Sequence, residues 1–520
     1  MSLFTEPMTD DRARRIAFAL VLALTALRLL ALFSSPLELY PDEAQYWLWS
    51  RTLSFGYFSK PPMIAWLIWA TTSIGGDAEA WIRVSAPLLH AGSALCLFFI
   101  GRRLFGSQCG LAATALYALM PGVALSSGVM STDAPLLFFL ALMLWAYVEL
   151  PTATGRRGVA LSAGMGAALG LAMLSKYAAI YALGGVILHA LVSREARSVW
   201  SPVAVVAFAL ALLAAITPNI AWNAAHQFST VEHTAANANL GSSRLFDPAE
   251  LGSFLLSQFG VFGPLPFAVL VGGMVLLIAR RRLTAQDVLL LCFCLPPLLV
   301  VSIQGFISRA NANWAAAGYL AGCLLVAAWM LRWNARLWLI AGLGVQAVIA
   351  ALFLTWTIAP RTADAMGVSN SFKRARGWEQ SVDAVVQRAM QEGGSATLSA
   401  VAVDDRFLFN AAAYYGRDYF GQADAPPLRM WVHEIRARNQ AETEAPLTAK
   451  DGQRVLAASL DGVYRAKMGA DFREVSGKEI ARVRLDAKRT RKIDMFVGEG
   501  FAPVARDPAT GKPPEPEVFR

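Results

Sequence analysis

Two carboxylates, Asp42 and Glu43, stand side by side in Tyr40-Pro41-Asp42-Glu43-Ala44, shortly after the first long apolar run of the chain. Lys60 follows in Gly56-Tyr57-Phe58-Ser59-Lys60-Pro61-Pro62, and Asp133 in Ser131-Thr132-Asp133-Ala134-Pro135 precedes another apolar run. Further on come Lys176-Tyr177, then Asn219, Asn223, His226 and His233, then Arg309, Asn311 and Asn313. Acid groups beside apolar spans are costly to desolvate, so they read as functional by default. Carboxylates near fixed cations suit a reaction on a lipid-borne anion. A carboxylate can deprotonate an acceptor hydroxyl while Lys and Arg hold and neutralise a departing phosphate.

The elements that must position these groups are membrane spans. The 520 residues are 56% hydrophobic and 16% charged, against roughly 25% charged in soluble proteins, and mean hydropathy is +0.45. A net charge of +9 comes largely from short arginine clusters between apolar runs, the pattern of topology determinants, and no nucleic-acid motif accompanies it. Runs long enough to cross a bilayer lie near 16–35, 84–101, 109–126, 134–150, 159–175, 177–192, 200–218, 251–279, 286–305, 314–331 and 337–358. The first run, after Arg12, Arg14 and Arg15, has no small-residue cleavage site and reads as an anchor. The stretch 63–74 is too short to span and reads as an interfacial helix.

With the N-terminus inside, every inner connection carries at least two arginines: Arg102/Arg103, Arg156/Arg157, Arg194/Arg197, Arg280–Arg282 and Arg332/Arg336. The connections 36–83 and 219–250, and everything after Pro360, are therefore expected to face outward. All the polar groups named above then fall on one membrane face. The expected domains are a membrane domain, 1–360, and an outward C-terminal domain, 361–520. In the latter, a strand-like run at 397–403 and a helix-like run at 378–390 point to a small α/β fold. From Ala505 on, Pro and Glu richness predicts disorder. The five cysteines lie in or beside apolar runs and imply no disulfide framework.

Each chemical residue also has a structural reading. Asp42 follows a proline and can cap a helix, and Asp133 stands at an N-cap position before Ala134-Pro135. Lys60 and Arg28 can snorkel to the interface, Lys176 can mark a turn, and the Trp-rich rim can be an aromatic belt. His226 and His233 are two helical turns apart without a third ligand, so zinc is not expected.

Pro41-Asp42-Glu43-Ala44, Gly56-Tyr57-Phe58-Ser59-Lys60-Pro61-Pro62 and Ser131-Thr132-Asp133 resemble the GT-C membrane glycosyltransferases. The likeness is to the bacterial branch of the protein O-mannosyltransferase superfamily, which includes the lipid A aminoarabinose transferases and the rhizobial lipopolysaccharide galacturonosyltransferases. It covers roughly residues 15–330. It implies an all-α polytopic GT-C-like fold of about 11–13 transmembrane helices with a small C-terminal α/β periplasmic domain. It also implies a polyprenyl-phosphate sugar donor and inverting transfer on the periplasmic face of the bacterial inner membrane, the N-terminus being cytoplasmic and the C-terminus periplasmic. Carried over by position, Asp42 is the catalytic base and Asp133 a second catalytic acid residue, while Lys60 binds the lipid phosphate. Glu43, Tyr57, Lys176, Asn223, His226, His233 and Arg309 are further substrate-binding candidates. Where the aminoarabinose transferases carry a metal-binding Glu this chain has Ser59, so neither metal nor other cofactor is expected.

The expected acceptor is lipopolysaccharide, lipid A or a related envelope glycan. A protein hydroxyl is the alternative within the class, and a lipid-linked sugar flippase is the alternative outside it. A flippase calls for ionisable groups near mid-membrane and inverted-repeat symmetry, and the sequence offers only Arg28.

Overall fold

The computed structural model describes residues 8–236 and 245–514. Part of the connection 219–250 and the end of the chain, 515–520, thus lie outside the described residues. Two compact units emerge. One comprises Met1–Ser35 and Ser54–Ile358, the other Pro36–Leu53 and Ala359–Arg520. The segment carrying Asp42 and Glu43, placed in the membrane domain by sequence, thus falls in the same unit as the C-terminal residues.

The first unit is a bundle of apolar helices. Among the described residues eight are long and apolar enough to cross a membrane, from Asp10–Phe33 to Arg336–Ile358. The three other expected spans are interrupted or short. Run 109–126 forms Ser107–Ala118 and Pro121–Ser126, because Pro121 cannot continue the first helix. Run 177–192 is a 3₁₀ turn followed by Ile180–Val192. Run 251–279 is Pro248–Val261 and Pro264–Ala279, bent by 119°. Stretch 63–74 is the 13-residue helix Met63–Gly75.

A break inside a bilayer exposes backbone groups that no water can satisfy, so another helix must supply partners. Gln346, fully buried, donates through Nε2 to the carbonyl of Phe262 at the sharp bend (2.9 Å). There Gly263 has φ 106°, and a Cβ would meet that same Nε2 at 2.8 Å. Arg28 does not snorkel. It is 6% exposed and donates to the carbonyl of Ala118, the last residue of the first half of the other broken run (2.5 Å). A cation at a helix C-terminus also opposes the helix dipole favourably. His90 bonds Tyr117 Oη (2.9 Å) and Ser126 Oγ (3.0 Å), bridging the two halves of that run.

In the second unit, β1 (Ala400–Val403), β2 (Leu428–Met430), β3 (Arg454–Ser459), β4 (Phe472–Arg484) and β5 (Thr490–Phe501) form one sheet, ordered β2-β1-β3-β5-β4. β1 is parallel to β2 and β3, and the rest is antiparallel. Alternation sends Val401, Val403, Leu456 and Val497 to one core and Ala400, Ala402, Val455 and Phe496 to another, so both faces are covered. The expected helix appears as Trp378–Gln391. Residues 505–514, the described part of the stretch expected to be disordered, make defined contacts. Arg506 forms an ion pair with the fully buried Asp471 (2.7 Å), and the Gly511 carbonyl accepts from Ile435 N–H (3.0 Å). Proline richness kept this stretch out of regular structure, yet a buried unpaired Asp471 would cost more than ordering it.

Asp404 directly follows β1. Ser459 donates to its Oδ2 (2.5 Å), while Oδ1 is buried without a hydrogen-bond partner among the described residues. Burial, with a contribution from neighbouring Asp405, pushes its carboxyl up to about 7. The folded state therefore holds this proton more tightly than the unfolded chain. The unit is expected to lose stability as pH rises from about 4 to 7, by an amount on the order of 4 kcal/mol. Asp404→Asn should remove that slope, raising the melting temperature more at pH 8 than at pH 5. Thermal unfolding of the full chain at the two pH values measures it, and parallel curves for both proteins would contradict it.

Candidate active site

In the first unit, the helix Asp133–Glu149 begins at Asp133 itself, and Thr132 is its N-cap without a side-chain cap bond. The capping role read for Asp133 is thus not what its carboxylate does. Oδ1 accepts from Lys176 Nζ at 2.6 Å and Oδ2 from Asn313 Nδ2 at 2.5 Å. Lys176 is the extended residue that ends the helix Gly155–Ser175, and Asn313 belongs to the 3₁₀ turn Ala312–Gly318. Three elements far apart in sequence therefore converge on one carboxylate. Side-chain exposures of 21% for Lys176 and 12% for Asp133 leave the pair partly desolvated, where charge-assisted hydrogen bonds are strong. Lys176 Nζ carries three donors, and Asp133 takes one. Arg309 is exposed, and Asn313, four residues on, is what reaches Asp133.

The loop that carries Lys60 is held by the segment around Pro218. Asn219 Nδ2 donates to the Phe55 carbonyl and Thr230 Oγ1 to the Tyr57 carbonyl, both at 2.6 Å. Tyr57 is buried, and its N–H donates to the Lys60 carbonyl (3.1 Å), closing the loop ahead of Pro61-Pro62. Lys60 is half-buried. Tyr177 Oη donates to Asn219 Oδ1 (3.0 Å) and accepts from Asn223 Nδ2 (3.1 Å), so Asn223 is built into this support. His226 is exposed and stacks on Trp222, with ring centroids 4.0 Å apart. The His233 ring lies edge-on to Phe58, 6.2 Å away. Of the candidates Asn219, Asn223, His226 and His233, Asn219 hydrogen-bonds the loop backbone, and Thr230, not singled out in the sequence, makes a second such bond.

Trp222 lies against Gly56, and a Cβ there would stand 2.3 Å from the indole ring. Gly56→Ala is expected to push Trp222 off the loop, destabilising the unit by about 1–3 kcal/mol and depressing transfer. Thermal unfolding beside a transfer assay tests this. A substitution silent in both would show that the loop does not depend on this packing.

The segment 36–53 belongs to the second unit. Its helix, Pro41–Ser50, has Pro at N1. Glu43 is 1% exposed, and its Oε2 accepts from Tyr40 N–H (2.9 Å), a capping bond at the helix start. Asp42 points outward with its side chain 56% exposed and pairs with Arg406 Nη2 at 3.5 Å. Arg406 Nη1 also donates to Gln45 Oε1 (3.1 Å). Sequence reading missed Arg406, since no local pattern links it to Asp42. Among the described residues no group of three or more His, Cys, Asp or Glu is placed to hold a metal ion.

The profile of the family described as dolichyl-phosphate-mannose-protein mannosyltransferase matches residues 59–222. The lipid A galacturonosyltransferase RgtD of Rhizobium johnstonii is 38% identical over 356 residues, 66% of this chain and 72% of that protein. ArnT from Cupriavidus metallidurans shares the fold. Its apo structure aligns with TM-score 0.63 at 15% identity, and its structure bound to undecaprenyl phosphate with TM-score 0.62 at 16% identity. Each alignment covers 92% of this chain and 97% of ArnT.

Proposed function

We propose that this chain, which belongs to the GT-C superfamily of membrane glycosyltransferases, moves a sugar from a polyprenyl-phosphate donor to lipid A or a related envelope glycan. The observation that carries this reading is the 38% identity to a lipid A galacturonosyltransferase across most of both chains. The arginine clusters at inner helix ends support an orientation with the transfer chemistry on the periplasmic face of the inner membrane.

In the proposed reaction an acceptor hydroxyl attacks the anomeric carbon of the donor sugar. The new bond joins acceptor oxygen to that carbon, and the bond from carbon to phosphate oxygen breaks with inversion. Asp42 takes the hydroxyl proton, and the departing polyprenyl phosphate keeps the bonding electron pair. Lys60 neutralises that phosphate, with Arg309 as a second cation, while Asp133 and Lys176 hold the donor or acceptor in place. None of these steps draws on a metal in this proposal, and Ser59 supplies no carboxylate for one. The flippase reading loses its one sequence argument, because Arg28 is spent on a helix end.

The name of the relative makes galacturonic acid the first donor to try. Purified protein in lipid nanodiscs should transfer galacturonic acid from polyprenyl phosphate to lipid A, read as a mass increase of the acceptor. Modification of a protein fraction with lipid A untouched would favour the protein-hydroxyl reading instead.

A further inference from the structure

We propose that Arg406 is a positioning residue for Asp42, and that the C-terminal unit thereby sets the geometry of the catalytic helix. This rests on the reading of Asp42 as the acceptor base. Asp42 and Gln45 are three residues apart on Pro41–Ser50 and so share a helix face. One guanidinium meets both, through Nη2 at 3.5 Å and Nη1 at 3.1 Å. Gln45 is 5% exposed, which fixes one arm of the fork and leaves the other to restrain the exposed carboxylate.

Arg406 is itself held. Its guanidinium lies 4.6 Å from the centre of the Phe407 ring, and it opens the helix Arg406–Tyr415, which Asp405 caps through Phe407 N–H and Leu408 N–H. A cation in a helix first turn opposes the dipole and is unfavourable for that helix alone. The pairing with Asp42 offsets the cost, so the placement makes sense through its partner. Two further contacts join the segment to the end of that helix. Leu39 N–H donates to Tyr415 Oη (2.7 Å), and Trp47 meets Tyr414 edge-on with centroids 4.9 Å apart. Glu38 accepts from Trp378 N–H (2.5 Å), tying the start of the segment to a further helix.

Stability and rate should respond differently. A solvent-exposed ion pair contributes little to folding, whereas a displacement of about 1 Å at a reacting group can cost about 100-fold in rate. Kinetics of the full-length protein with polyprenyl-phosphate sugar and lipid A therefore decide. Arg406→Ala should lower kcat by about 30- to 100-fold with KM for the donor changed less than twofold and the melting temperature unmoved. Arg406→Lys, which keeps the charge but not the fork, should recover about tenfold of that loss. Gln45→Met should cost kcat several-fold with the same unchanged KM.

A wild-type kcat in Arg406→Ala overturns the inference, as does a loss expressed in KM, which would make Arg406 a substrate ligand. Should Arg406→Ala fail to purify as a folded protein, Arg406→Lys and Gln45→Met decide by the same split. Asp42→Asn separates the two levels. If it retains transfer, the reading of Asp42 falls. If it is inactive while Arg406→Ala is normal, only the role of Arg406 falls.

Discussion

Asp42→Asn should abolish sugar transfer, lowering the rate by about 1,000-fold or more, while the protein purifies and melts as the parent does. General-base catalysis contributes about 100- to 10,000-fold, and an amide of the same shape cannot accept the proton. The fold should tolerate the change because Asp42 is more than half exposed and its ion pair with Arg406 is long and solvent-screened. The neighbouring carboxylate gives the contrast. Glu43 is buried on a helix-capping bond, so Glu43→Gln should reduce stability by about 1 kcal/mol and affect transfer only modestly. Parallel rate and melting measurements on the two variants check this, and a reversed pattern would place the base at residue 43.

Much of this was legible in the sequence because the bilayer imposes simple rules. Each of the eleven apolar runs falls on helix, and the arginine clusters sit at helix ends. Hydropathy is blind, however, to breaks within a run. Pro121 and Gly263-Pro264 interrupt two expected spans without lowering their apolar content. The side chains that make such breaks tolerable, Arg28 and Gln346, read as an interfacial cation and an unremarked polar residue. Their role depends on which helix lies opposite, and a single sequence does not contain that.

The same limit separates finding the candidate residues from knowing their partners. Topology placed Asp133, Lys176 and Asn313 on one membrane face, but nothing in the sequence marked that the three touch. The carboxylate of Asp42 was evident from its motif, whereas its partner Arg406 lies in the C-terminal region, where no motif operates. The segment 36–53 shows the same limit. Residues 36–53 adjoin membrane helices in sequence but pack their aromatic side chains on the C-terminal helices. Strand and helix periodicity did locate β1 and Trp378–Gln391, because both are amphipathic or uniformly buried in their own right.

The Lys176–Asp133 pair should show the second large effect, and it can be separated from mere packing. Lys176→Met leaves the Asp133 carboxylate with Asn313 as its remaining partner in a partly desolvated place. Loss of one member of a fully buried pair costs about 3–5 kcal/mol, and partial exposure here lowers the expected loss to about 1–3 kcal/mol. Transfer should fall by about 100- to 1,000-fold. The single variant cannot say why, since a shifted helix end would also slow the reaction. The double variant Asp133→Asn with Lys176→Met removes both charges together, and neutral replacement of an ion pair is often harmless to folding. Melting temperature should therefore return toward that of the parent while transfer stays lost, because the two donors of Lys176 that bond nothing among the described residues are what the proposed donor phosphate or sugar needs. Recovery of both stability and transfer in the double variant would make the pair a structural strut and move the anion-holding role to Lys60.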